Sequence, residues 1–264
     1  ASGNWQIGVP AADLQAWTAG GMTVSVSAED AWGNTVAAEH PIELDLNAVA
    51  VTIDTVTTDD MLNAAEKGAD VTLSGQTQGV EAGQTVVVKF ADQTFTAQVQ
   101  QDGSWHLTVP ASAMETLIDG RAQVSVSVTN VNGNSADASR VVIVDTQPPA
   151  ITLDNLTDDN IINAAEAQQD LVLSGSTTAE AGQTVTVTLN GKSYQTTVQA
   201  DGRWQLNVPA ADVGALTDGN VTVTATVSDV AGNSSSADRV GLVDATVPQV
   251  IINDFVTDTT TKHT

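Results

Sequence analysis

The chain has 264 residues, with 8 Lys plus Arg against 32 Asp plus Glu, a formal charge of −24 and no cysteine. That balance excludes nucleic acid and anionic lipid as partners, since both need a basic face, and makes cations the natural counter-charge. Without cysteine there is no disulfide framework, thiol nucleophile or thiolate metal site, and no run of eighteen apolar residues is present to insert into a membrane.

In chain order, the first marker is Gly3-Asn4-Trp5-Gln6-Ile7-Gly8-Val9-Pro10, which recurs at Gly103-Ser104-Trp105 to Pro110 and at Gly202-Arg203-Trp204 to Pro209. Asp45, Asp145 and Asp244 each close an apolar run, and Asn63-Ala64-Ala65-Glu66 returns as Asn163-Ala164-Ala165-Glu166. These markers share a period of about a hundred residues, so the chain is an array of similar domains and its function belongs to the array. Cutting at the aspartates predicts the C-terminal part of a truncated repeat at 1–45, complete repeats at 46–145 and 146–244, and the first strand of a following repeat at 245–264. The two end pieces are too short to close a core and are expected to fray. The chain thus reads as a segment of a longer parent that also carries the secretion signal, since no basic-then-apolar leader opens it.

Within 146–244, apolar residues alternate with polar ones at Val185, Val187 and Leu189, at Trp204, Leu206 and Val208, and at Val221, Val223, Ala225 and Val227. A period of two predicts half-buried strands at 150–156, 170–177, 184–190, 192–199, 203–208, 220–228 and 236–243. Turn signals fall at Asn190-Gly191, Asp201-Gly202 and Gly232-Asn233, where residues tolerant of positive φ suit hairpins. No helical periodicity is longer than the stretch at 209–217. The fold class is therefore all-β: tandem immunoglobulin-like antiparallel sandwiches, arranged head to tail in a rod. Trp5, Trp105 and Trp204 are in phase with inward aliphatic neighbours and are assigned to cores rather than to a sugar-stacking cleft. Trp17 and Trp32 occur only in the first piece.

Strands running alternately down and up place the loop 229–233 beside Asp145, and the loop 158–166 beside the exit at Asp244. The junction at Asp145 is offered Asp59, Asp60, Asn63, Glu66 and Asp119 from one repeat, with Asp145, Asp229 and Glu180 from the next. Crowded carboxylates repel by roughly a kcal/mol or more per close pair unless a cation sits among them. Calcium fits such a set, taking about six to eight oxygens in loose geometry. Magnesium needs a tighter octahedron, and zinc or copper would want histidine or cysteine; His40, His106 and His263 sit at unmatched positions and read as surface residues. No EF-hand loop or glycine-rich calcium repeat is present. The expected metal ligands are Asp45, Asp59, Asp60, Glu66, Asp145, Asp158, Asp159, Glu166, Asp229 and Asp244. Asp102, Asp201 and Asp218 are read as turn caps.

The segments Asp145-Thr146-Gln147-Pro148-Pro149, Asp158 through Glu166, the Gly-x-Trp-x-x-x-Val-Pro motif and Asp229-Val230-Ala231-Gly232-Asn233 together resemble the bacterial immunoglobulin-like repeats of giant type I-secreted adhesins. The likeness is to the non-fimbrial giant adhesins as a family. It covers both full repeats and the end pieces. It implies a monomeric, calcium-binding segment of a virulence-associated rod on the bacterial surface, flanked by neighbouring Ig-like repeats, the full-length protein meeting a host glycan or receptor. Of the ligands, it implies Asp145, Asp229, and the acids of the 158–166 loop with Asp59 and Glu66. Two departures are Asn130, where the other repeats carry Asp229 and Asp30, and Val131-Asn132 in place of the usual pair before Gly133; the site at Asp45 is expected to be weaker or to lack one ligand charge. The leading function is a calcium-stiffened stalk segment of a bacterial surface adhesin that mediates attachment to host cells or surfaces, and the alternative is a glycan- or receptor-binding Ig-like module that makes the adhesive contact itself. Catalysis is not expected, because adjacent acids such as Asp158 and Asp159 do not face each other across a cleft.

Overall fold

The structure, a computed structural model, describes residues 4–253. Contacts divide it into two compact units. One takes the described residues up to Leu62 and then Glu66–Val144; the other takes Asn63–Ala65 and the described residues from Asp145 on.

The first unit opens with a helical turn, α1 (Ala11–Leu14), and an antiparallel hairpin of β1 (Gly20–Glu29) and β2 (Thr35–Leu44), in register from Gly20↔Leu44 to Glu29↔Thr35. Next come β3 (Ala50–Val51), β4 (Met61–Leu62), α2 (Ala64–Lys67), β5 (Val71–Gln78), β6 (Thr85–Phe90), β7 (Gln93–Gln98), β8 (Ser104–Val109), α3 (Ala111–Met114), β9 (Gly120–Thr129) and β10 (Ser135–Val144). They form a three-stranded sheet in the order β3-β5-β8 and a five-stranded sheet in the order β4-β10-β9-β6-β7. Alternation explains the layering, since successive side chains of a strand point to opposite faces. Val86, Val88, Val124, Val126, Val128, Val142 and Val144 line one inner face; Val71, Leu73, Trp105, Leu107 and Val109 line the other, all in one buried cluster. Thr and Ser occupy many of the outward positions, as suits a sheet with one wet face.

The second unit repeats the frame. Its elements are β11 (Ile161–Asn163), a 3₁₀ turn (Glu166–Gln168), β12 (Leu171–Ser176), β13 (Thr184–Leu189), β14 (Lys192–Thr197), β15 (Arg203–Val208), α4 (Ala210–Val213), β16 (Gly219–Ser228) and β17 (Ser234–Asp244). The large sheet runs β11-β17-β16-β13-β14 and faces the β12-β15 pair. The expected strand at 150–156 is reduced to the bridge Ile151↔Thr177 and two further ladder bonds, Thr152 N to Ser176 O at 2.8 Å and Asp154 N to Ser174 O at 2.9 Å. After a turn in which Asn160 takes φ 63°, the chain crosses to the other sheet, where β11 pairs parallel with β17. The helical stretch at 209–217 is the single turn α4, whose first amide, Ala210 N, is capped by Asp170 Oδ1 at 2.8 Å.

Each sandwich closes over a tryptophan laid across a glycine of the facing strand. Gly75 is the register partner of Trp105 and Gly175 of Trp204. A Cβ on Gly75 would lie 1.9 Å from Thr52 O and 2.7 Å from Trp105 Nε1; one on Gly175 would lie 2.0 Å from Thr152 O and 2.7 Å from Trp204 Cζ2. Trp105 is 0 % exposed and Trp204 1 %, whereas Trp5, expected in a core, is 63 % exposed. The reason is architectural: β1 pairs only with β2 among the described residues, so no facing sheet lies over Trp5. Trp32, 86 % exposed, stands at the hairpin tip. Of the expected strand at 245–264, residues 245–253 are not in strand conformation, and the remainder, with His263, lies outside the described residues.

Candidate functional site

The loop Asp229-Val230-Ala231-Gly232-Asn233 is a tight turn between the last two strands of the second sandwich. Gly232 takes φ 91°, Asp229 N donates to Asn233 O at 3.0 Å, and Gly232 N donates to Asp229 O at 3.2 Å. The Asp229 carboxylate closes the turn by accepting Asn233 N on Oδ1 at 2.8 Å and Asn233 Nδ2 on Oδ2 at 3.1 Å. The same Asn233 amide donates to Asp145 O at 2.9 Å, which draws the leading segment 145–149 onto the loop. Glu180 Oε2 accepts Val230 N at 3.1 Å from the other side. Asp145, Glu180, Asp229 and Asn233 therefore share one patch, with Asp229 and Asn233 both 7 % exposed. A buried carboxylate is costly without compensation, and here compensation comes from Asn233 alone among the bonds that hold the turn.

In the first sandwich the same frame carries different chemistry. Asn130, 4 % exposed, accepts Asn132 N at 3.1 Å and Asn134 N at 2.9 Å on Oδ1. Its Nδ2 donates to Asp45 Oδ2 at 3.1 Å and to Gly79 O at 3.3 Å. Asn132 Nδ2 adds a bond to Asp45 Oδ2 at 2.8 Å, and Glu81 Oε2 accepts Val131 N at 3.1 Å as Glu180 does for Val230. The Asn132 amide, with the Asn47 backbone N–H, holds the Asp45 carboxyl below the ordinary carboxylate value. In the hairpin, Asp30 plays the part of Asp229: Oδ1 accepts Trp32 N and Asn34 N, each at 2.9 Å, and Oδ2 accepts Asn34 Nδ2 at 2.8 Å.

The loops after the first strands use their acids mainly to shape themselves. Asp59 Oδ1 accepts Met61 N at 3.0 Å, and Asp159 Oδ1 accepts Ile161 N at 3.0 Å and the Thr157 hydroxyl at 3.0 Å. The Ile161 N–H and that hydroxyl lower the Asp159 carboxyl below its ordinary value. Asp60 is held by Arg140: Nε reaches Oδ1 at 2.5 Å and Nη2 reaches Oδ2 at 2.6 Å, a bidentate pair. That guanidinium keeps the Asp60 carboxyl below its usual range. Nothing in the spacing of Asp60 announces a partner eighty residues away. Glu166 Oε2 accepts Asn163 N at 3.0 Å while Asn163 Oδ1 accepts Ala165 N at 2.9 Å and Glu166 N at 3.1 Å, a reciprocal cap. The Asn-x-x-Glu spacing carries that signal in the sequence. Asp158 lines a shallow surface cleft with Glu166 and Asp170. Glu66 lies in the turn α2, and Asp244 ends β17 opposite Asn163. Asp102 and Asp201 are turn caps, accepting Ser104 N and Arg203 N at 3.0 Å each. Asp218 instead grips the exit segment, accepting Ala245 N at 2.8 Å and the Thr246 hydroxyl.

Among the described residues, no three His, Asp or Glu side chains converge as a metal centre. The donor sets nonetheless differ in what they could hold. The patch at Asp145 offers carboxylate and backbone oxygens, the ligand chemistry of a hard cation, while the Asn233 carboxamide oxygen accepts Ala64 N at 3.0 Å. At Asp45 the carboxylate is met by amide hydrogens.

Comparison with known proteins agrees with this frame. No curated protein sequence is similar to the chain. A solved structure of a Ca2+-stabilized adhesin, with which an Antarctic bacterium reaches out and binds ice, is 31% identical over 91% of this chain, with a TM-score of 0.50. The chain spans 60% of that structure's length. Another, from a 1.5-MDa bacterial ice-binding adhesin, is 29% identical over 91% of this chain and 79% of its own, with a TM-score of 0.48. Residues 149–245 match the family of the bacterial Ig-like domain, so the second sandwich is immunoglobulin-like, and the all-β frame repeated in the first shares that fold class.

Proposed function

We propose that this chain is a stalk segment of a bacterial surface adhesin, in which calcium held by acidic linkers stiffens a series of Ig-like domains. In this reading the domains are 46–145 and 146–244, with the closing part of an earlier repeat at 1–45 and the first strand of a later one at 245–264. The observation that carries it is the Asn233 amide joining Asp145 O to the Asp229 carboxylate, with Glu180 bonded to Val230 N of the same turn. The likeness to a Ca2+-stabilized adhesin over 91% of the chain supports it.

Bound calcium supplies a double positive charge that takes about six to eight oxygens in flexible geometry. The residues of the chain prepare for it. Asn233 orients both the Asp145 backbone and the Asp229 carboxylate, and Glu180 anchors the far side of the turn through Val230 N. Asp158, Asp159, Glu166 and Asp244, with Asp59 and Glu66, are the further oxygen donors of the linkers. Asp60 serves Arg140 and supports its loop. The segment works outside the cell as a monomer and is non-catalytic. Contact with a host glycan or receptor belongs to the full-length protein, exported by a type I route.

Small-angle scattering with calcium and then with a chelator tests this. The maximum dimension is expected to fall and become heterogeneous on chelation, and D145N is expected to behave like chelated protein while both sandwiches stay folded. An unchanged maximum dimension after calcium removal defeats the stiffening reading.

A further inference from the structure

The loops beside Asp45 and Asp145 are one turn with opposite chemistry at the first position. Asp229 can only accept, on Oδ1 from Asn233 N and on Oδ2 from Asn233 Nδ2, and so sends no hydrogen to Asp145, whose Oδ1 accepts the Gln147 N–H at 3.1 Å. Asn130 accepts on Oδ1 from two backbone N–H groups, which fixes the orientation of its amide, because reversing it would set its NH₂ against both donors. With that orientation set, Nδ2 must point at Asp45 Oδ2 and Gly79 O, and the Asn132 amide joins it on the same Asp45 oxygen. The carboxylate that would anchor a cation is thus already met by hydrogens from two side chains. A cation needs oxygens there.

We infer that Asn130 makes the Asp45 linker independent of calcium, closed by amide hydrogen bonds, so that of the two leading linkers only the one at Asp145 responds to the ion. This rests on the calcium reading above and adds to it that the repeats are not equivalent: one residue per repeat, Asn or Asp at the start of the turn, decides whether a linker is permanently or conditionally closed.

The test is a backbone amide NMR titration of the full chain with calcium chloride after chelator treatment. Saturable shifts are expected at Val230–Asn233 and none at Val131–Asn134. Saturable shifts at both loops over the same concentrations overturn the inference while leaving the calcium reading standing. Silence at both loops overturns the calcium reading and this contrast with it. N130D is expected to acquire a saturable response at residues 131–134, and a folded N130D that stays silent overturns the role given to Asn130. Should N130D fail to fold, the titration of the unaltered chain decides by itself.

Discussion

The two sandwiches share a frame and differ in the polar groups set into it. Both close a tryptophan over a glycine, both cap a helical turn with an aspartate (Asp70 for Ala111 N, Asp170 for Ala210 N), and both pair a short parallel strand with the last long one. Around that frame, Asp60 becomes Asn160, Asn130 becomes Asp229, Phe95 becomes Tyr194 and Ala113 becomes Asp212. The first unit therefore satisfies its arginine and its linker aspartate internally. The second leaves Arg239 Nε and Trp204 Nε1 buried without a partner among the described residues, where the matching Trp105 Nε1 donates to Thr52 O at 3.1 Å. Repetition conserved the apolar interior and let each repeat settle its polar chemistry separately.

The largest effects should come from breaking what the units share. W105A and W204A are each expected to destabilise their own unit by about 3–5 kcal/mol, since a large buried side chain is lost and a cavity remains. Calorimetric scans of the full chain should show a different transition displaced by each. G75A and G175A should likewise displace one transition apiece, because the added methyl meets backbone oxygen at a distance no rotamer relieves.

Next in size is the exchange at position 60 and its counterpart 160. D60N removes the bidentate partner of Arg140 and is expected to lower the melting temperature of the first unit by a few degrees. N160D offers an acceptor to Arg239 Nε, at the cost of the bond from Asn160 Nδ2 to Val240 O, and is expected to raise the second transition if the ion pair outweighs that loss. The pH dependence sharpens the contrast. The folded-state pKa of Asp60 is depressed by Arg140, so its contribution is present above the unfolded value of 3.8 and is lost as pH falls through the depressed one. Acid scans should show that loss in the parent's first transition and not in D60N.

The smallest effect is spectroscopic. Tyr194, the single tyrosine, donates to Asp212 Oδ2 at 2.7 Å, and Lys192 pairs with the same carboxylate. Burial, then the bond to Asp212, pushes the phenol up to about 12. A raised pKa contributes stability below the unfolded value of 10.0 that is lost as pH rises toward about 12. Absorbance titration near 295 nm should give that midpoint, and D212N should bring it down toward 10; an unshifted D212N would remove this difference between the units.

Most of the strands could be read in advance. The segments expected at 184–190 and 203–208 appear as Thr184–Leu189 and Arg203–Val208, because alternation and turn residues are local signals. The short β11 was not, since Ile161-Ile162 lies inside a polar loop and pairs with a strand eighty residues on. Among the acids, the proximity of Asp145 to the 229–233 loop follows from strand direction, whereas the Asp60 bond to Arg140 and the amide closure of Asp45 do not.

By itself the sequence determined the repeat period, the sandwich class, the turns and the acidic character of the linkers, because these depend on neighbours in the chain. Only the tertiary structure decided which acids are already satisfied, and it left Trp5 exposed while burying Trp105 and Trp204. The physical reason is the same in each case: a carboxylate's partner or an indole's cover is supplied by a distant strand, and hydrogen bonding and burial are settled by what arrives there in space.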